Sequence, residues 1–398
     1  MKNSNRRILL TLVLAAALAA SACSSGESSA IGTAPADAST NAPRSTAEPT
    51  DAEKEEDELH EVLVAIVADT GVPALGAAVF DHEGLIDQAT AGRRERDGSS
   101  AVTVDDTFHL GSNTKAMTAA LLARLDEQGG LIGLDTTLSD AFGGGAPVHD
   151  DYSTVNLAQL LSHSGGTPAD DDLDVDDEIF ELPVTEARAL GAQLILSEPP
   201  AVAPGTASVY SNAGYVVVAA AIEAATGQSW EDLMTAEVFS PLSMDSCGFG
   251  PPGIDGVDDQ PLGHAADGQP IYFDNPAVLA PAGGIHCSMV DWGRFLVELL
   301  NGVDGNSTYL NQASIDRLFE PAATPVEGFD GGAALGWLVA EGPESTAWFH
   351  NGSNTAWFSQ AAIVPAMDRA VLAVSNEAAT GEQATALAFA ALAELHPS

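Results

Sequence analysis

The chain is expected to fold as an α+β protein, with an antiparallel sheet built from both termini, flanking helices and an inserted, mainly helical lobe. Three observations predict this. Two short apolar runs near the start, 75–80 and 85–91, are separated by Asp81-His82-Glu83-Gly84 and read as a β-hairpin. Four more strand-like runs, 334–340, 346–350, 356–364 and 370–374, crowd the other end. Between them, from about 130 to 330, the apolar spacing is mostly helical and is broken by long Gly/Pro/Asp loops. Strands at both ends around a helical middle are most simply joined in one sheet.

In chain order, residues 1–22 are expected to be a signal peptide. Lys2, Arg6 and Arg7 form a basic start, and the apolar run 8–20 is too short to span a bilayer comfortably. Ala20-Ser21-Ala22 then places small residues before Cys23. That pattern resembles a bacterial lipoprotein signal, cut before Cys23 with the sulfur lipidated; a plain secretory peptide cut nearby is the alternative. Residues 23–57 are rich in Ser, Ala, Thr, Pro and acids without hydrophobic periodicity, and read as a disordered tether. The folded part, 58–398, is therefore expected outside the cytoplasm, held to the bacterial cell envelope by a lipid anchor only.

Within that part, a helix over 58–69 stops at Gly71-Val72-Pro73, and the hairpin follows. A helix opening at Ser112 is apolar enough to be central and buried. Further helices are expected at 155–162, 185–196, 212–225, 230–239 and 288–300, the last opened by a Ser288-x-x-Asp291 cap. A final helix covers 382–394.

Charge excludes several functions. With 14 Lys+Arg against 57 Asp+Glu, the formal net charge is -43, which repels nucleic acid phosphates and anionic lipid headgroups. The excess acid suits solubility in a saline environment and says nothing of chemistry. Cys-His metal spacing is absent, so neither a metal nor a cofactor is expected. The acidic run 170–178 lacks the glycine and terminal glutamate of an EF-hand loop and reads as a solvated face. With Cys23 spent on the anchor, Cys247 and Cys287 form an even pair in an oxidising compartment. A disulfide between them is expected, two buried thiols being the alternative.

Lysine usage points to the chemistry. After residue 54 the chain contains one lysine, Lys115, three residues beyond Ser112 in His109-Leu110-Gly111-Ser112-Asn113-Thr114-Lys115. Positions i and i+3 share a helix face, so the amine can reach the serine hydroxyl. A helix start at the serine also puts a first-turn N–H beside an attacked carbonyl, where the dipole favours negative charge. The bland alternative, a capping serine and a solvated lysine, puts a cation in the first turn against that dipole.

An amine base needs a route for its proton, and Tyr210-Ser211-Asn212, at the turn into an apolar helix, offers Tyr210 with Asn212 as polar neighbour. Tyr210 as packing and Asn212 as an N-cap are the alternative roles. A strand edge should supply a second oxyanion donor, and Phe349-His350-Asn351-Gly352-Ser353 fits. His-x-Gly also occurs at His82 and His163. Only His350 follows the tyrosine on strand-like sequence, and Gly352 permits close approach of a substrate backbone. His163 is expected to order its own loop.

In order and spacing these residues resemble the serine β-lactamase and penicillin-binding-protein superfamily, in its class C β-lactamase, DD-peptidase and esterase branch. The resemblance runs from about residue 58 to the C-terminus. It extends to Leu160-Leu161-Ser162-His163-Ser164-Gly165-Gly166, Pro204-Gly205, Pro241-Leu242-Ser243-Met244, Pro281-Ala282-Gly283-Gly284 and Leu335-Gly336-Trp337.

It implies a β-lactamase/transpeptidase-like fold, Ser112 as acylated nucleophile, Lys115 as base and Tyr210 as proton shuttle and activator of the deacylating water. It also implies that Asn212 bonds the substrate amide and that the N–H groups of Ser112 and Ser353 form the oxyanion hole. His350 stands where β-lactamases usually carry lysine, and its cation is only partial at neutral pH. The expected activity is that of a D-Ala-D-Ala carboxypeptidase-like enzyme or esterase on a small-molecule or peptidoglycan-peptide substrate, with a class C-like β-lactamase as alternative. A non-catalytic cell-wall-binding lipoprotein is the alternative of another class. Intact Ser112, Lys115 and Tyr210 argue against it.

Overall fold

The computed structural model describes residues 51–397, apart from 144–147, 170–178, 180, 255, 273, 327–328, 330 and 343–345. The expected signal peptide, Cys23, the tether up to residue 50 and the acidic run 170–178 lie outside the described residues.

The two ends of the chain meet in one antiparallel sheet, as expected. Helix α1 (Asp51–Thr70) leads into β1 (Ala74–Asp81) and β2 (Gly84–Gly92), the hairpin of the sequence reading. The C-terminal strands are β8 (Gly332–Ala334), β9 (Trp337–Glu341), β10 (Thr346–Ser353), β11 (Phe358–Val364) and β12 (Arg369–Ser375). The spatial order is β2-β1-β12-β11-β10-β9-β8, so first and last strands are central neighbours, paired from Leu75↔Ser375 to Phe80↔Ala370. Both faces are covered. Leu63, Val79, Phe349 and Val371 pack with Phe389 of the last helix, whereas Phe80, Ile363 and Leu372 face the lobe with Met117 and Trp292. Burial on both sides explains why β1 reads as a nearly continuous apolar run although the sheet is antiparallel, and why β11 is buried along its whole length.

The lobe is organised around α2 (Thr114–Glu127), buried continuously from Thr114 to Ala123. Around it lie α3 (Leu157–Leu161), α4 (Val184–Ser197), α5 (Asn212–Thr226) and α6 (Trp230–Met234), the last running on as a π-helical turn. Then come α7 (Ala280–Gly283), α8 (Met289–Val303) and α9 (Gln312–Phe319), and α10 (Gly381–Leu395) closes the chain. The Ser288 hydroxyl accepts from the Asp291 N–H and caps α8.

The first helix starts at Asp51, so 51–57, expected as the end of the disordered tether, are helical, and four further details differ from expectation. The lobe holds a small sheet, β3 (Thr107–His109), β7 (Ile285–Ser288) and β4 (Gly248–Phe249), plus the pair β5 (Gly263–His264) and β6 (Pro270–Ile271). Strands of two to four residues carry no readable periodicity. The run 334–340 is two strands, because the chain reverses at Leu335-Gly336, where Gly336 has φ 80°. Ser112 sits in a 3-10 turn, Gly111–Asn113, and the α-helix starts two residues later. Finally, β10 continues to Ser353, beyond the expected end at 350, because Asn351, Gly352 and Ser353 still pair with Gln360, Ser359 and Phe358.

Cys247 precedes β4, one step beyond the Gly248↔His286 pair, and so lies opposite Cys287. The two are disulfide-bonded, with Cα atoms 4.2 Å apart.

Candidate active site

The lobe and the sheet bring three segments together at one point. The 3-10 turn and α2 supply Ser112 and Lys115, the loop before α5 supplies Tyr210 and Asn212, and the end of β10 supplies His350, Gly352 and Ser353. Ser112, Tyr210 and Asn212 are half-buried, whereas Lys115 is fully buried beneath them.

Lys115 Nζ donates to Ser112 Oγ at 3.0 Å, to Asn212 Oδ1 at 2.5 Å and to the Ala282 carbonyl at 2.7 Å. These three acceptors match the three N–H bonds of an ammonium. A neutral amine has two N–H bonds and one lone pair. If Asn212 and Ala282 keep both N–H bonds, the lone pair is left facing the serine. The ammonium also lies 4.8 Å from the Tyr210 ring centre and 5.2 Å from that of Tyr215. From the other side the Tyr210 hydroxyl donates to Ser112 Oγ at 2.7 Å. Asn212 is not the helix cap of the bland alternative. The Ser211 hydroxyl caps α5 by accepting from Gly214 N–H, leaving the Asn212 amide to Lys115.

His163 has a larger part than its sequence context suggested. Its Nδ1 accepts from Ser211 N–H at 3.2 Å and its carbonyl accepts from Val209 N–H at 2.9 Å, gripping the backbone on both sides of Tyr210. Its ring packs on that of Tyr210 with centres 4.6 Å apart. Burial first, then the Lys115 charge, holds its pKa well below the ordinary value, so the ring is neutral. Its nearness to Tyr210 comes from folding alone, and neither segment's sequence signals it.

The close approach of β10 to the serine turn depends on two glycines. A β-carbon at Gly352 would run into the Leu110 carbonyl oxygen and lie 2.7 Å from the Ser112 nitrogen. One at Gly111, where φ is 50°, would lie 2.6 Å from the Ser353 nitrogen. The Ser112 and Ser353 nitrogens thus belong to two backbone segments in close contact. Ser359 ties the segments further: its hydroxyl donates to the Leu110 carbonyl at 2.7 Å and accepts from Asn113 Nδ2 at 2.8 Å.

His350 departs from expectation. Its side chain alternates with buried Phe349 and faces the lobe, only 3% exposed, with Nδ1 hydrogen-bonded to the Asn351 carbonyl. Burial first, then the Lys115 charge, lowers its pKa to about 4. The ring is therefore neutral at neutral pH, not the partial cation expected. Among the described residues no cluster of three or more His, Cys, Asp or Glu could hold a metal ion, and no helix is long and apolar enough to cross a membrane.

A family model described as Beta-lactamase matches residues 59–395. The chain is 27% identical over 314 residues to penicillin-binding protein 4 of Amycolatopsis lactamdurans, covering 74% of this chain and 78% of that protein. It is 22% identical over 353 residues to a putative D-alanyl-D-alanine carboxypeptidase of Escherichia coli O157:H7, covering 78% and 79%. The structure of an octameric penicillin-binding protein homologue from Pyrococcus abyssi shares the fold, with a TM-score of 0.69 and 20% identity over 85% of this chain and 77% of that one. With the family model spanning nearly all of the folded part, the chain belongs to the beta-lactamase family of serine hydrolases.

Proposed function

We propose that the protein is an extracytoplasmic, lipid-anchored serine hydrolase that works through an acyl-enzyme on Ser112. The observation that carries this is the bracketing of Ser112 Oγ by Lys115 Nζ at 3.0 Å and Tyr210 OH at 2.7 Å. Both lie within proton-transfer reach. In the acylation step Ser112 Oγ attacks the carbonyl carbon while its proton passes to the Lys115 lone pair. The carbonyl oxygen takes up the negative charge between the Ser112 and Ser353 N–H groups. The proton then moves through Tyr210 to the leaving group, and water activated by Tyr210 releases the acid. Asn212, already bonded to Lys115, holds the amine in line and presents its amide NH₂ to the substrate. The basic start, the apolar run and Cys23 support the extracytoplasmic, anchored reading.

The neutral His350 favours acyl donors without an anionic end, such as esters, over β-lactams, whose carboxylate needs a cation. Carboxypeptidase activity on a D-Ala-D-Ala peptide is the second reading, favoured by the likeness to the Escherichia coli protein named for it. The test is intact-protein mass spectrometry after a short-chain p-nitrophenyl ester, a fluorophosphonate and a penicillin, followed by peptide mapping. Acylation at Ser112 by the ester and fluorophosphonate, lost in Ser112→Ala, supports the reading; labelling that persists at another serine removes it.

A further inference from the structure

We propose that Asp274 is a positioning residue that clasps the two halves of the oxyanion hole together, an inference resting on the Ser112 acyl-enzyme reading. The carboxylate is bonded to both segments that carry the oxyanion donors. Its Oδ2 accepts from His109 Nε2 at 2.8 Å, and its Oδ1 accepts from Asn354 Nδ2 at 2.7 Å and from Asn275 N–H at 2.7 Å. His109 is the last residue of β3 and only 1% exposed, and its Nδ1 accepts from Gly111 N–H at 3.1 Å. An accepting Nδ1 puts the ring proton on Nε2, pointing at Asp274. One arm of the clasp therefore fixes the backbone directly before Ser112.

The other arm fixes the residue directly after Ser353. Ser353 ends β10, so no ladder continues beyond it to hold its N–H in place. The chain turns sharply there, with Thr355 at φ 72°. Asn354, 9% exposed, anchors this turn: its Oδ1 accepts from Ala356 N–H at 3.3 Å and its Nδ2 binds Asp274.

Asp274 is suited to the task. Burial alone would raise its pKa, but the bonds from His109, Asn354 and Asn275 outweigh burial and hold it below the ordinary value. The carboxylate stays ionised and keeps both arms engaged. Displacing a donor by a fraction of an ångström weakens a bond that matters only when the oxyanion forms, so the loss falls on kcat.

The test uses the full folded protein with a p-nitrophenyl ester, in wild type, Ser112→Ala, Asp274→Ala, Asn354→Ala and the Asp274→Ala/Asn354→Ala double variant. Losing one oxyanion donor outright costs ~10²–10³-fold, and a loosened one is expected to cost about tenfold. The clasp predicts that kcat falls about tenfold in each single variant while KM changes less than about twofold. The double variant should be no worse than the worse single, because both changes cut the same link. Affinity for an alkyl boronic acid, which mimics the tetrahedral intermediate, should fall by the same factor as kcat. Unchanged kcat in Asn354→Ala, or additive losses in the double variant, overturns the clasp. So does a lowered thermal midpoint with kcat and boronate affinity intact, which marks Asp274 as a stability residue. Turnover surviving in Ser112→Ala refutes the acyl-enzyme reading itself, a separate outcome.

Discussion

In the proposed acyl-enzyme reading, the surroundings of Lys115 leave it one productive direction. Asn212 and Ala282 fix two positions on nitrogen and Ser112 takes the third, while the Tyr210 and Tyr215 rings wall off the sides. Arginine fits neither the space nor the role: its planar guanidinium is larger and does not release a proton in the working range. Lys115→Arg is therefore expected to lower the acylation rate by roughly 10²–10⁴-fold, the usual worth of a positioned general base; stopped-flow acylation with a p-nitrophenyl ester measures it. A near-normal rate would show that the proton leaves by another path. His350 gives a second expectation at this scale. With a pKa of about 4 it gains a proton only in distinctly acid solution, below its ordinary 6.5. The ratio of kcat/KM for an anionic and a neutral ester should therefore stay level from pH 6 to 8, in wild type and in His350→Gln alike. A step near pH 6.5 that vanishes in His350→Gln would mean the ring meets the substrate's charge as a cation.

At the scale of elements, legibility followed the physics of each signal. The hairpin, the C-terminal strands and the α8 cap were readable because their cues are local: period, turn residues and a capping hydroxyl. The candidate site residues stood out because Ser-x-x-Lys and Tyr-x-Asn gather their polar groups into three or four positions, and the fold brings Ser112, Lys115 and Tyr210 into contact. The β8–β9 turn at Gly336 was missed because its residues continue an apolar run, and only the backbone angle reveals the reversal. The grip of His163 on Tyr210 and the His109–Asp274 contact join residues far apart in sequence, so no local pattern encodes them. The Cys247–Cys287 pair was inferred from parity, whereas the reason it can close lies in β4 and β7, strands too short to foresee. With the cysteines 40 positions apart in the chain, the chain-entropy model gives the disulfide about 4 kcal/mol, and native disulfides commonly contribute ~2–5 kcal/mol. Cys247→Ala/Cys287→Ala should lose stability within that range by chemical denaturation and keep Ser112 labelling in its folded fraction. Unchanged stability would mean the small sheet holds this edge unaided.

For the molecule as a whole, charge is the dominant unbalanced quantity. The formal net charge is -43, and much of the scarce cation is already spent on local partners. Arg94 binds Asp106, Arg96 binds Glu377, Arg188 binds Glu223 and Glu231, and Arg317 binds Asp135. The remaining carboxylates repel one another with little to offset them, and this opposes the compact state. Salt acts on the two kinds of interaction unequally. Exposed pairs such as Arg317–Asp135 are worth ~0–1 kcal/mol each, so screening them costs little. The Arg188 triad is shielded, since the guanidinium is fully buried, and bulk ions reach it poorly. Repulsion among many like charges, in contrast, acts over a Debye length of ~30 Å at 0.01 M and collapses to ~3 Å at 1 M. The balance favours stabilisation by salt. Raising sodium chloride from 0.01 to 1 M should increase the thermal midpoint by several degrees, with most of the rise below about 0.2 M, where screening changes fastest. Potassium chloride should give the same curve, because screening depends on ionic strength and not on the cation's identity. A flat or falling midpoint would mean that local ion pairs, not net repulsion, govern the stability of this acidic fold.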